Sequence, residues 1–326
     1  MYEQLRLKQI RKTYSAQGWA LLIYYGILNA AVMVIMVVQG VILGLSASSQ
    51  ETLPDVEEMT ELLVAESGWG YLIAIVVGLI VLLLWKKTSF FFGTIWQKGE
   101  TMKPGAFFGI FAIFVSAQLG VQLLYMLLEY VCNLMGLSMA ASMESASASS
   151  DSLSMFLYIG LGAPISEELL FRGLVLRSME PYGKKFAIFA SALMFGLYHG
   201  NIIQIPFAFV VGLVLGYVTV EYNIGWAILL HMFNNLILGD SMTRLTSLLP
   251  QPWSDLSYWI LIIGCAIAAV LVLVTNRHRI RVWLQCNHDE PQCAAAFWSA
   301  PGIITLVCVL VVLTVVSMGA MVTVMS

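Results

Sequence analysis

Apolar positions in this chain fall in long uninterrupted runs, not in the alternating or three-and-four spacing of a fold with one face in water. Runs near 19–45, 69–85, 106–135, 154–177, 186–200, 203–221, 225–238, 257–275 and 299–323 are each read as a helix at membrane depth. They are too long and too continuous for barrel strands, and lipid admits only helices or closed barrels, because backbone polar groups must pair internally there. The expected fold is all-α and polytopic, with about eight to nine transmembrane helices around a polar intramembrane cavity. The expected organisation is a cytoplasmic interfacial segment over 1–18, N-terminal spans over 19–153, a core over 154–240 and C-terminal spans over 241–326.

Composition agrees with the pattern: 60% of the residues are hydrophobic and 11% charged, and mean hydropathy is +0.85. A water-soluble domain of this length lacks the polar surface to cover such a core. The first run follows a basic segment but continues from about Trp19 to Leu45, longer than a signal h-region and long enough to span.

Charge sets an orientation. Arg6, Lys8, Arg11 and Lys12 precede the first run. Lys86, Lys87, Lys98 and Lys103 follow the second, Arg177, Lys184 and Lys185 the fourth, and Arg277, Arg279 and Arg281 the eighth. With a cytoplasmic N-terminus all of these face the cytoplasm, Arg244 faces out and Arg172 lies within a span, as the positive-inside bias requires. A multi-pass protein of the cell membrane is the expectation. The acidic stretch with Glu51, Asp55, Glu57, Glu58, Glu61 and Glu66 then lies outside, as does a Ser/Ala-rich stretch from Met139 to Ser154, read as a mobile linker. The basic stretch through Tyr14 reads as an interfacial lead-in to the first span. Nothing in the chain resembles a phosphate loop or a nucleic-acid surface. Cys286, His288 and Cys293 share a predicted loop, but their spacing matches no standard zinc module, and an ordinary reduced loop is the expectation.

Candidate chemistry lies between Glu167 and Asn235. Ionisable residues inside a span are costly and by default mark a functional site. Glu168 and Arg172 are four residues apart, so they share a helix face and can pair. Glu167 is about 100° away and is free to point elsewhere. Two later segments add Phe195 with His199, and His231 with Asn235, each pair again one turn apart. Counted at about 1.5 Å per residue from the cytoplasmic edge, Glu167, His199 and Asn235 fall about 15–20 Å deep and His231 about 10 Å. Such groups can converge on one buried site. A carboxylate beside a neutral imidazole suits water activation, a second imidazole and an amide suit an oxyanion, and the same groups can also ligate a metal. Each has a structural alternative: Glu168 with Arg172 as a buried pair, Phe195 as packing, and either histidine as an interhelical hydrogen-bonding residue. No HExxH helix is present.

Glu167-Glu168-x-x-x-Arg172, Phe195-x-x-x-His199 and His231-x-x-x-Asn235, in this order on successive membrane segments, resemble the three motifs of the CPBP family. That family holds the type II CaaX prenyl endopeptidases and their bacterial Abi relatives, including bacteriocin-immunity proteins. The resemblance covers about 155–240. It implies an intramembrane endopeptidase that admits a membrane-associated peptide or protein from the cytoplasmic side. By position, Glu167 and His199 would activate water, His231 and Asn235 would stabilise the oxyanion, and Glu168, Arg172 and Phe195 would support the site. Either no cofactor or one divalent metal such as zinc fits the resemblance. Its ligands would be Glu167, His199 and His231, a sparse cage for a divalent ion. Two readings compete: a non-catalytic scaffold or immunity protein with the same fold, and a proton-coupled transporter, for which no broken helices in inverted halves are seen.

Overall fold

The computed structural model describes residues 2–47, 67–86, 88–146, 152–236 and 248–324. The acidic stretch from Glu51 to Glu66, Arg244 and the last residues of the run at 225–238 lie outside the described residues. Every apolar run has become helix. In chain order these are α1 (Tyr2–Ala47), α2 (Ser67–Trp85), α3 (Pro104–Asn133), α4 (Ala140–Ala146), α5 (Leu153–Tyr182), α6 (Lys184–Tyr198), α7 (Gln204–Glu221), α8 (Ile224–Phe233), α9 (Trp253–Thr275), α10 (Arg277–Cys286), α11 (Cys293–Ser299) and α12 (Pro301–Met321). The protein is an integral membrane protein: among the described residues, 7 helices are long and apolar enough to cross a bilayer. Among the described residues the strand content is one two-residue ladder, Leu137–Ser138 against Thr323–Val324.

One of the nine expected spans, α6, is short, and α8 is regular over only 10 residues before wider turns at 234–236 where the described residues end. α6 has 15 residues, or about 22 Å of helix against a hydrocarbon core of about 30 Å. α6 stops at Gly200, whose φ of 63° lies in the left-handed region and closes the helix end. Asn201 then turns the chain by accepting from the Ile203 N–H at 2.8 Å. A helix end at this depth is tolerated because it lines a cavity enclosed by other helices.

The loops assigned to one side do meet at one end. Gly99 and Glu100 donate their N–H groups to the carbonyls of Tyr222 and Glu221. Trp283 Nε1 donates to Glu221 at 2.7 Å, Lys185 to the Leu284 carbonyl at 3.1 Å, and the Glu290 N–H to the Tyr182 carbonyl at 2.9 Å. The N-terminal segment belongs to this base. The 1–18 lead-in and the first span form one helix of 46 residues, about 69 Å long and more than twice the hydrocarbon thickness. Its first turns rest on protein: Ile10 and Tyr14 are fully buried, Tyr14 stacks on Phe186 with centroids 5.9 Å apart, and Arg6 pairs with Glu290. The Arg6 hydrogen bond holds the Glu290 carboxyl below its ordinary range.

The stretch from Met139 to Ser154 is not the expected linker over residues 140–146, which form α4; residues 147–151 lie outside the described residues. A Ser/Ala-rich composition reads as a linker because it lacks an apolar period, yet Ala is the strongest helix former. The helix is held from outside itself. Asn201 donates to the Ser142 carbonyl at 2.9 Å, and Gln204 donates at 3.1 Å to the Ala146 carbonyl, an acceptor that the helix end leaves unpaired.

Candidate active site

α5 carries both glutamates and departs twice from α geometry. Its wider turns run over Tyr158–Gly162 and Glu168–Leu176, where N–H groups reach back five residues: Ala163 to the Tyr158 carbonyl and Arg177 to the Arg172 carbonyl. Such π turns mark functional sites often. The first leaves one carbonyl open. Continuing its register, the Ile159 carbonyl would pair with the N–H of residue 164, but Pro164 has none. The Asn235 amide fills that place, donating from Nδ2 to the Ile159 carbonyl at 2.9 Å. Asn235 thus ties the end of α8 to the break in α5, while its Oδ1 accepts from Asn234 at 2.9 Å.

Glu167 and Glu168 face different ways. The Glu168 side chain is 0% exposed and the Glu167 side chain 21%, which puts Glu167 on the cavity wall and Glu168 behind it. Glu168 Oε1 stands 3.0 Å from Arg172 Nη1, the pair expected from their spacing. The same oxygen also accepts from His231 Nδ1 at 2.9 Å. Spacing along the chain could not show this second partner, since Glu168 and His231 are 63 residues apart. Glu168 therefore joins the buried guanidinium to an imidazole of the site.

His231 stands between the two carboxylates. With Nδ1 donating to Glu168, its Nε2 looks into the cavity and lies 3.7 Å from Glu167 Oε2, beyond direct hydrogen-bond range. His199 is held differently: its Nδ1 donates to the Phe195 carbonyl at 2.8 Å, since a carbonyl can only accept, and a neutral ring then carries its lone pair on Nε2. Phe195 does more than fill space. Its ring lies 4.3 Å from Arg172 Cζ and meets the rings of His199 and His231 edge to face, at 4.8 and 5.8 Å. One aromatic thus fixes both imidazoles relative to the buried cation. Arg172 also donates to the Gly212 carbonyl at 3.3 Å, tying α5 to α7.

Glu167, His199, His231, Asn235 and Phe195 line one cavity of about 460 Å³. Glu168 and Arg172 do not reach it. The remaining wall includes polar side chains that sequence reading passed over: Gln118 and Gln122 of α3, Tyr158 of α5, Asn234 after α8 and Tyr258 of α9. A single amide or phenol in an apolar run resembles an ordinary interhelical contact, so nothing local marks these residues.

Among the described residues no three His, Cys, Asp or Glu side chains gather as metal ligands do. Glu167 and His231 approach each other, while His199 is held through Phe195, so the expected Glu167, His199 and His231 cage is not formed. Cys286, His288 and Cys293 do not gather either. Cys286 is exposed, and buried Cys293 accepts from Tyr14 and donates to the Tyr182 carbonyl, each at 3.4 Å. Burial pushes the Cys293 thiol up, away from the thiolate that zinc needs.

Fold and site together define a polytopic helical membrane protein whose inner helices bring a carboxylate, two imidazoles and an amide to one cavity, with a second carboxylate buried behind it. Residues 149–237, which contain every one of these groups, match the family described as Type II CAAX prenyl endopeptidase Rce1-like. This agrees with the resemblance carried by the three motifs. At the level of family, the match supports a CaaX-protease-like intramembrane endopeptidase. No curated protein and no solved structure matches the chain.

Proposed function

We propose that this protein hydrolyses a peptide bond of a membrane-associated protein or peptide, with Glu167 as the base. One observation carries the reading: Glu167, His199, His231 and Asn235, all within the segment that matches the protease family, line a single cavity.

The chain's own groups are sufficient for the steps. Water between Glu167 and His199 gives one proton to the Glu167 carboxylate, and His199 Nε2 accepts the hydrogen bond of the other. The hydroxide oxygen bonds to the carbonyl carbon, whose oxygen takes the negative charge. Asn235 has one amide hydrogen left after binding the Ile159 carbonyl, and it donates to that oxygen. His231 donates from Nε2 when protonated, its positive charge balanced by Glu168, which accepts from Nδ1. The proton on Glu167 then passes to the departing amine as the C–N bond breaks. No step runs through a metal.

The basic loops that meet at one end support a cytoplasmic N-terminus, and the location proposed with it is the cell membrane. The substrate would enter from the cytoplasmic side. A second reading, a scaffold or immunity protein of the same fold, is favoured by one fact: Asn235 and His231 both make hydrogen bonds that hold helices together. Comparing membrane peptides of cells that carry the native protein or Glu167→Ala separates the two. Hydrolysis predicts a precursor that accumulates and a product that disappears in the variant. A phenotype that survives simultaneous substitution of Glu167, His199 and His231 rejects hydrolysis.

A further inference from the structure

Gln118 and Gln122 lie one turn apart on α3 and both face the cavity that holds Glu167. Neither makes a hydrogen bond within the described residues. No protein group occupies either carboxamide, so both are open to a ligand that enters the cavity. Across the cavity, Asn234 adds a third unsatisfied group: its Oδ1 is buried without a partner. The two glutamine amides can each donate and accept, and the Asn234 oxygen can accept.

Spacing says what. Side chains four residues apart on a helix are separated by about 6 Å along the axis. Backbone groups on one edge of an extended peptide repeat every two residues, about 6.6–6.8 Å. A carboxamide carries the same donor and acceptor pair as a peptide group. We propose that Gln118 and Gln122 hold one backbone edge of an extended peptide while Asn234 accepts from the other, so that the occupant is chosen by its unfolded backbone and not by its side chains. The inference rests on the hydrolysis reading for what happens next and not for binding itself. Both glutamines lie outside the segment that matches the protease family. They belong to the part of this chain that wraps the site.

The test uses full-length protein purified in detergent and a fluorescein-labelled decapeptide of alternating Ala and Val with two terminal Lys. A second copy of the peptide carries N-methyl groups on alternate backbone nitrogens. Anisotropy is read on the Glu167→Gln background and cleavage on the native protein. Gln118→Leu and Gln122→Leu should each weaken binding about fivefold and the pair about 25-fold. N-methylation should weaken binding to the parent and cost nothing further in the paired variant. Gln118→Met with Gln122→Met, which keeps length and loses the amides, should behave as the Leu pair does, and thermal unfolding should be unchanged in both. Absence of peptide binding by the parent, equal binding by parent and paired variants, or the same N-methylation cost in both overturns the inference. Peptide cut equally fast by the native protein and the Leu pair counts against this inference alone. Peptide that binds the parent with this amide dependence and is never cut supports it and counts against hydrolysis.

Discussion

Helices α5 and α9 both cross the protein, and they show what separates an inner helix from an outer one. α9 reaches a hydropathy of 2.6 with 11% of its most apolar window buried, whereas α5 reaches only 1.2 with 39% buried. The less apolar helix is the more enclosed one, the reverse of a water-soluble fold. Lipid solvates the outer faces of α9, so Ile263, Ile267, Val270 and Leu271 remain exposed to it. α5 trades apolar residues for Glu167, Glu168 and Arg172, and surrounding helices supply the partners that lipid cannot. It also gives up regular geometry, since Pro164 and the two wide turns are tolerated only where Asn235 and neighbouring backbone take up the freed groups. Substitutions should therefore act very differently in the two helices.

The sharpest contrast is Arg172→Leu. It leaves Glu168 buried without its cation and removes the charge above Phe195, so a loss of about 3–5 kcal/mol is expected, read as a drop in thermal unfolding or failure to purify as a single species. Leu271→Ala on the exposed face of α9 should stay within about 0.5 kcal/mol. Equal effects at the two positions would erase the distinction between inner and outer helices.

Asn235→Ala comes next. It removes the donor to the Ile159 carbonyl, costing about 1–3 kcal/mol of stability for the group left unpaired, and under the proposed hydrolysis it also removes an oxyanion donor, lowering turnover by about 10²–10³. Loss of stability with full turnover would keep the helix tie and discard the chemical role.

The smallest effect lies at the base. Arg6 holds the Glu290 carboxyl below its ordinary range, so this contact contributes fully above about pH 4 and is lost as pH falls through the lowered value. Protease should release the first turns of α1 more readily at pH 3 than at pH 7, and Glu290→Gln should remove most of that difference.

What the sequence revealed divides along the same line. Long apolar runs marked the spans because lipid demands internally paired backbone, and the four-residue spacing was enough to pair Glu168 with Arg172. Contacts that close across the fold were out of reach. The His231 bond to Glu168 and the Asn235 bond to Ile159 depend on how α8 packs against α5. α4 was hidden by a composition that reads as linker, and Gln118 and Gln122 by their isolation among apolar neighbours. The motif residues were visible as a set, and helical spacing already separated the two glutamates, while the His231 partner of Glu168 needed the structure.

That division is the central claim, and Glu167→Gln measured beside Glu168→Gln tests it most directly. Both variants are assayed for thermal unfolding and for cleavage of whichever membrane peptide the cell comparison yields. Glu167→Gln should lose at least about 10² in turnover with its unfolding temperature unchanged, because Glu167 faces the cavity. Glu168→Gln should unfold at lower temperature, because Arg172 and His231 lose a shared anion. Retained turnover in Glu167→Gln, or an unfolding temperature that falls equally in both, would contradict the account.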